Sequence, residues 1–171
     1  MTSPTPPRYA PERAFPPYAY LPGRDPHPTG DPRGHSFGAE SGAPPRHLAA
    51  DRWRENEDYL FGCDLYNHGY LWEAHEAWEG LWHLARADTD QADLLQGLIQ
   101  CAAACLKIPM DQPRGRERLA ENGTARLERV ARAHGGAYMG LDLFGFVRDF
   151  RDWVALPAPE LDARPRLELE V

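Results

Sequence analysis

Residues 70–82, YLWEAHEAWEGLW, place one histidine, three glutamates and three tryptophans in thirteen positions. At about 100° per residue, His68, Trp72, His75, Glu79 and Trp82 fall on one narrow helical stripe, with Leu71 at its flank. Two large aromatics on that stripe predict that it points inward. His75 and Glu79 are neighbours four residues apart on it. A histidine and a carboxylate on an inward face are costly unless they find partners.

The next helical run, TDQADLLQGLIQCAAACLK at 89–107, is apolar almost all round and reads as a central helix. Gln96 and Gln100 nevertheless share a stripe with Ala103 and Lys107, and buried amides need hydrogen bonds. Gly97, Ala102, Ala103 and Ala104 would let another helix approach closely. The economical arrangement sets Gln96 and Gln100 opposite His75 and Glu79, as one polar cluster inside the bundle. Glu73, in the first turn of its helix, reads as a cap for free N–H groups at the positive end. Glu76 lies about 100° from His75, at the rim of any site.

Around this pair the remaining pattern is also helical. A first helix is predicted from about Asp51 to Asn67, with Gly69 as its left-handed cap. A second covers about 70–85, and a third starts at Thr89 or Asp90 and stops before Pro109. A fourth opens with Pro113 and closes at His134–Gly136. Asp142 caps a fifth, which buries Leu143, Phe146, Val147, Phe150 and Val154 on one face. No convincing strand, internal repeat or hairpin turn is evident. The expected fold class is all-α: a compact antiparallel bundle of about five helices with an extended Pro-rich N-terminal arm.

The arm is marked by composition, since twelve of the seventeen prolines precede residue 47. Proline fixes φ and removes a donor, so residues 1–47 are neither regular helix nor central strand. Phe15, Tyr18, Tyr20 and Phe37 are residues that a plain disordered linker lacks, which predicts an arm docked on the domain. Residues 48–156 form the bundle, and the Pro-rich tail at 157–171 is expected to be loose.

With 171 residues the chain is about one domain. A net charge of −7 and an isoelectric point near 5.5 argue against nucleic acid or an anionic membrane as partner, and the arginine-rich run at 114–134 interleaves acids with its bases. Cys63, Cys101 and Cys105 form no CxxC pair, and a reducing, cytoplasmic context is expected. Residues 1–15 hold no apolar h-region and no segment approaches eighteen consecutive apolar residues, so a soluble intracellular protein is expected. Trp53, Trp78 and Trp153 are core or interface residues, and the latter use would make a homodimer.

LYNHGYLWEAHEAWEGLW (65–82), followed by LLQGLIQCAAAC (94–105), resembles the helical family known as domain of unknown function 309 over roughly residues 59–154. PPYAYLPGRDPHPTGDPRGHSFG (16–38) is similar to the N-terminal extension in a branch of that family. The resemblance implies an all-α bundle. Its motif falls on Glu73, His75, Glu76, Glu79 and Trp82, then on Gln96, Gly97 and Gln100. Some members are labelled predicted metal-dependent hydrolases.

Three readings of the cluster stay open. HEAWE resembles HExxH with Glu79 in place of the second histidine. His75 and Glu79 would then hold a divalent metal such as zinc, with Glu76 as the catalytic base and a third ligand from His27, Asp31 or His35 of the arm, or from His68. A second reading is a pocket walled by Trp72 and Trp82, holding a small-molecule ligand or the arm itself, with His27 or His35 on Glu79. The third is a buried polar network that fixes helix register.

Overall fold

Asn56 divides the first predicted helix in two. Its side chain accepts the Tyr59 N–H at 3.1 Å, as a helix cap does, so a 3-10 helix at Ala50–Glu55 precedes α1 at Glu57–Asn67. The computed structural model describes residues 5–40 and 42–170. Four further helices follow: α2 (Leu71–Leu84), α3 (Thr89–Leu106), α4 (Pro113–Ala133) and α5 (Leu143–Val154). Each packs on the next, giving an all-α bundle.

The helix ends follow local chemistry. Asp88, one residue before the predicted start, caps α3 by accepting the Gln91 N–H at 3.0 Å. Pro113 occupies the first turn of α4, which Gly135 and Gly136 terminate at φ 70° and 104°. Asp142 caps α5 through the Gly145 N–H at 3.0 Å, and the five apolar residues expected on its inner face are all buried.

α3 and α4 pack almost backbone to backbone. A Cβ on Gly97 would lie 2.7 Å from Leu127 Cδ2 and 3.0 Å from the Gly123 carbonyl oxygen, so only glycine permits this crossing. Cys101 and Cys105 lie fully buried nearby, and burial pushes both thiols well above their ordinary pKa. They serve as small apolar residues.

The fold departs from the sequence reading at several places. A two-residue hairpin, β1 (Ala137–Tyr138) and β2 (Leu141–Asp142), joins α4 to α5. Its turn residues, Met139 and Gly140, both have positive φ, 46° and 81°. That is the geometry two-residue hairpins need, and methionine does not advertise it. The tail is not loose: Leu167 and Leu169 are buried, Leu169 bridges to Leu141, and the Glu170 N–H donates to the Gly140 carbonyl at 2.8 Å. Alternation in RLELE, residues 166–170, is the period-two signal of a half-buried strand. Asn67 secures the tail by accepting the Leu167 N–H and donating to the Leu167 carbonyl, both at 2.8 Å. Trp53, Trp78 and Trp153 are buried within the chain, so their aromatic surface fills its own core and is not offered to a second copy.

The arm lies against α1 and α2. Its first anchor is Asp64, whose side chain is 0% exposed in the middle of α1. That carboxylate accepts the backbone N–H of Tyr9 at 2.7 Å and of Ala10 at 2.9 Å, and the Arg8 Nε–H at 3.0 Å. Phe15 continues the contact by stacking on Tyr70 with centroids 4.9 Å apart, under the Arg8 guanidinium. Phe37, expected to dock, stays 51% exposed.

Asp64→Ala leaves two amides and a guanidinium without their acceptor. It is expected to cost on the order of 3 kcal/mol. Urea denaturation measures that loss, and faster tryptic cleavage at Arg13 reports release of the arm.

Candidate functional site

α2 turns three different faces to its surroundings. The bundle side carries Leu71, Ala74, Trp78, Leu81 and Ala85, all buried. This corrects the predicted inward stripe: His75, Glu79 and Trp82 sit about 100° further round and are only half-buried. Two interleaved stripes on one helix both contain tryptophan, and the one free of ionisable groups goes inside because burying it costs no desolvation of charge.

The side of α2 turned away from the bundle meets the arm. Glu73 is buried there, at 6% exposure, and its Oε1 accepts the Tyr20 N–H at 2.8 Å. The same oxygen lies 3.0 Å from His35 Nε2. Glu73 is therefore an anchor for the arm; among the described residues its hydrogen bonds go to Tyr20 and His35, and none to the N–H groups of its own helix. His35 is held in turn by Ser36 Oγ, 2.7 Å from Nδ1, and its backbone N–H donates to Tyr18 Oη at 3.2 Å. The arm histidine thus finds Glu73 rather than Glu79, because the arm runs over the face that Glu73 occupies. Glu73 Oε2 is buried, with no hydrogen-bond partner among the described residues.

Beside this anchor, Tyr20 and His27 pack edge-on against Trp72, with centroids 5.1 and 5.5 Å away. His27 Nδ1 accepts the Gly30 N–H at 3.1 Å. That bond assigns the proton of the neutral ring to Nε2, the opposite of a nitrogen ready to take a metal. Asp31 is engaged by Arg33 at 2.9 Å. His68 caps the end of α1 and packs against Phe15, centroids 4.8 Å apart. Burial and the Arg8 charge lower its pKa. None of these four arm and α1 residues joins the α2 cluster as it stands.

The cluster itself is His75, Glu76 and Glu79. One ligand atom from each lies within 4.8 Å of the other two. His75 Nδ1 is 3.4 Å from Glu76 Oε1, and its Nε2 is 3.8 Å from Glu79 Oε2. Their side chains are 27%, 47% and 41% exposed, so the group opens to solvent. Desolvation first, and then repulsion from Glu79 and Glu73, raise the Glu76 pKa against the opposing pull of His75 and His27. A histidine nitrogen and two carboxylates suit zinc or a similar divalent ion. Atoms on a shared zinc stand roughly 3.4 Å apart at ordinary bond lengths, so small rotamer changes would close the present spacing.

Gln96 and Gln100 are half-buried on α3, and among the described residues no hydrogen bond joins either to His75 or Glu79. Gln100 Oε1 is buried and has no hydrogen-bond partner among the described residues. Trp82 lies beside His83 and under the Arg86 guanidinium, 5.1 Å from its ring centroid. A cavity of about 580 Å³ opens elsewhere, lined by Arg13, Pro44, Arg46, Glu55 and Glu57 among others. Its mixed charges favour no one ligand class, and no predicted site residue borders it. Asp64 is the anchor that sequence reasoning missed. Its signal was an acid within the apolar run LFGCDLY, where a carboxylate must find donors.

The class of protein defined by this fold is an all-helical bundle strapped by a Pro-rich arm. The family model described as domain of unknown function (DUF309) matches residues 59–119, and over that segment the chain resembles the family. The match runs from α1 into the start of α4 and includes the whole of α2; α5 lies outside it. No curated protein matches the chain, and no solved structure does. Among the described residues no helix is long and apolar enough to cross a membrane.

The raised pKa of Glu76 has a definite sign. An acid held up in the folded state favours folding when protonated, and that advantage is lost as pH rises from the ordinary glutamate value through the raised one. Glu76→Gln removes the group, so the melting midpoint of the variant minus that of the parent should be more positive at pH 7 than at pH 4. Thermal melts at the two pH values measure the difference.

Proposed function

We propose that the protein is a binding module whose α2 face has two parts: an inner carboxylate, Glu73, occupied by the arm, and an outer group, His75, Glu76 and Glu79, that takes a divalent cation. The carrying observation is the convergence of three ligand atoms within 4.8 Å on a half-exposed surface. His75 and Glu79, at i and i+4, project from the same face, and Glu76 adds a second carboxylate. Nearby donors limit the choice of ion: one imidazole and two carboxylates favour zinc or manganese over the all-oxygen set that calcium prefers. Among the described residues, no lysine or arginine pairs with Glu76 or Glu79 in competition with a cation.

Metal-assisted hydrolysis is the second reading. The exposure of the cluster favours it, since open positions would let a substrate reach the ion. Such an ion would supply Lewis acidity, while His75, Glu76 and Glu79 would hold it. His27 and His35 of the arm are already hydrogen-bonded, so three ligands on α2 would carry the load.

Elemental analysis of the tag-free protein beside His75→Ala tests the site. About one zinc or manganese per chain after dialysis, absent from His75→Ala at unchanged helical circular dichroism, is the expected result. No ion in the parent after reconstitution would remove the cation reading and the hydrolase with it. Turnover of phosphoester or amide substrates by the loaded parent alone would establish the second reading.

A further inference from the structure

The arm and the outer group meet at Glu73. This carboxylate is three residues before Glu76 on the same helix and is more than nine-tenths buried. Its two oxygens differ: Oε1 takes both arm contacts, and Oε2 is enclosed with no hydrogen-bond partner among the described residues. A buried carboxylate oxygen left without a donor is rare and costly, and such atoms commonly mark a place where a ligand or ordered water completes the set. Glu76 lies within electrostatic reach of Glu73 on one side, of Glu79 on the other, and of His27 on the arm above it.

We propose that Glu73 is a positioning residue that links arm docking to cation binding, so that each strengthens the other. The inference rests on the cation reading of His75, Glu76 and Glu79. Glu73 is not one of the three converging ligand atoms, and it acts through its charge and through the arm it holds.

The physical basis is charge balance on one helix. Glu73, Glu76 and Glu79 bring three carboxylates to two turns of α2, with no guanidinium or ammonium paired to any of them among the described residues. A divalent ion at the outer group offsets the repulsion that Glu73 feels. Docking the arm takes Glu73 out of water beside those carboxylates, and the ion removes the repulsion that this burial would otherwise strengthen. In the reverse direction, the arm shields Glu73 from water, and a charge in a lower dielectric attracts a nearby cation more strongly. Tyr20 and His27 cover Trp72 in the same docked position, so the arm also excludes water from the flank of the site. Linkage requires the two effects to be equal in size.

Tyr20 provides the readout, since its amide is hydrogen-bonded to Glu73 itself. Zinc affinity is measured by calorimetry on the full chain, and Tyr20 amide exchange is followed with and without saturating zinc. Exchange at Tyr20 should slow at least about fivefold on zinc addition, the lower end of ordinary coupling between sites. His35→Ala should bind zinc weaker by about the same factor, with its melting transition still cooperative. His35→Gln, which keeps a donor for Glu73, should recover part of that affinity. Glu73→Gln should lose the zinc effect on Tyr20 exchange. If the parent binds zinc but Tyr20 exchange does not respond, or if His35→Ala binds it as tightly as the parent, the linkage is overturned while the cation reading stands. If the parent binds no zinc at all, both fall, and the calorimetry alone shows it.

Discussion

Two carboxylates on neighbouring helices, Asp64 on α1 and Glu73 on α2, are buried because the N-terminal arm supplies their hydrogen-bond donors. Neither acid could sit where it does on a bare bundle without losing solvent and gaining no replacement. Asp64 receives two backbone N–H groups and an arginine; Glu73 receives one backbone N–H and an imidazole. The arm needs them equally. A segment with twelve prolines has few amides to spare and no regular ladder to satisfy them, so acceptors fixed on a rigid helix define where it lies. The docked aromatics, Phe15 on Tyr70 and Tyr20 on Trp72, add apolar contact along the same line.

This arrangement gives α2 its unusual position. A helix at the edge of a bundle ordinarily has one buried stripe and a solvated back. α2 is covered on the bundle side by the packing of Trp78 and Leu81, and on the far side by the arm at Glu73. The strip left between them carries His75, Glu76 and Glu79, with Trp72 at one border. An exposed His/Glu group on an open helix would be a solvated surface. Flanked by a buried carboxylate and a hydrogen-bonded strap, the same residues sit in a setting where charges act on one another through less water.

The chain termini reinforce the strap. Tyr9 of the arm accepts the Leu169 N–H at 3.0 Å, so the beginning and end of the described chain meet beside α1. Arg164 donates to the Tyr66 and Asn67 carbonyls in the last turn of that helix. α1 is thereby held on its side by Asp64 and at its end by the tail. Residues that look peripheral in sequence finish the hydrogen bonding of the central helices.

The number of α-helices, the limits of the last four and the Pro-rich run before residue 47 were legible in the sequence because they depend on local chemistry: proline at 113, glycine at 135 and 136, aspartate at 142, and apolar spacing at 3.6 residues; the break that Asn56 puts into the first helix was not. The resemblance to the DUF309 family was legible in the α2 and α3 motifs for the same reason. What the sequence left open was direction. Trp72 and Trp82 mark one stripe of α2, Trp78 another, and periodicity alone does not say which of two adjacent stripes meets the core. Only the tertiary structure decided it, by putting the stripe without ionisable groups against α3. It also decided that Glu73 would meet His35, thirty-eight residues away, and that Gln96 and Gln100 would form no hydrogen bond to His75 or Glu79. Such pairings depend on how distant segments cross, and a hydrogen bond is specified by three-dimensional placement of donor and acceptor, to which spacing along one helix contributes only half.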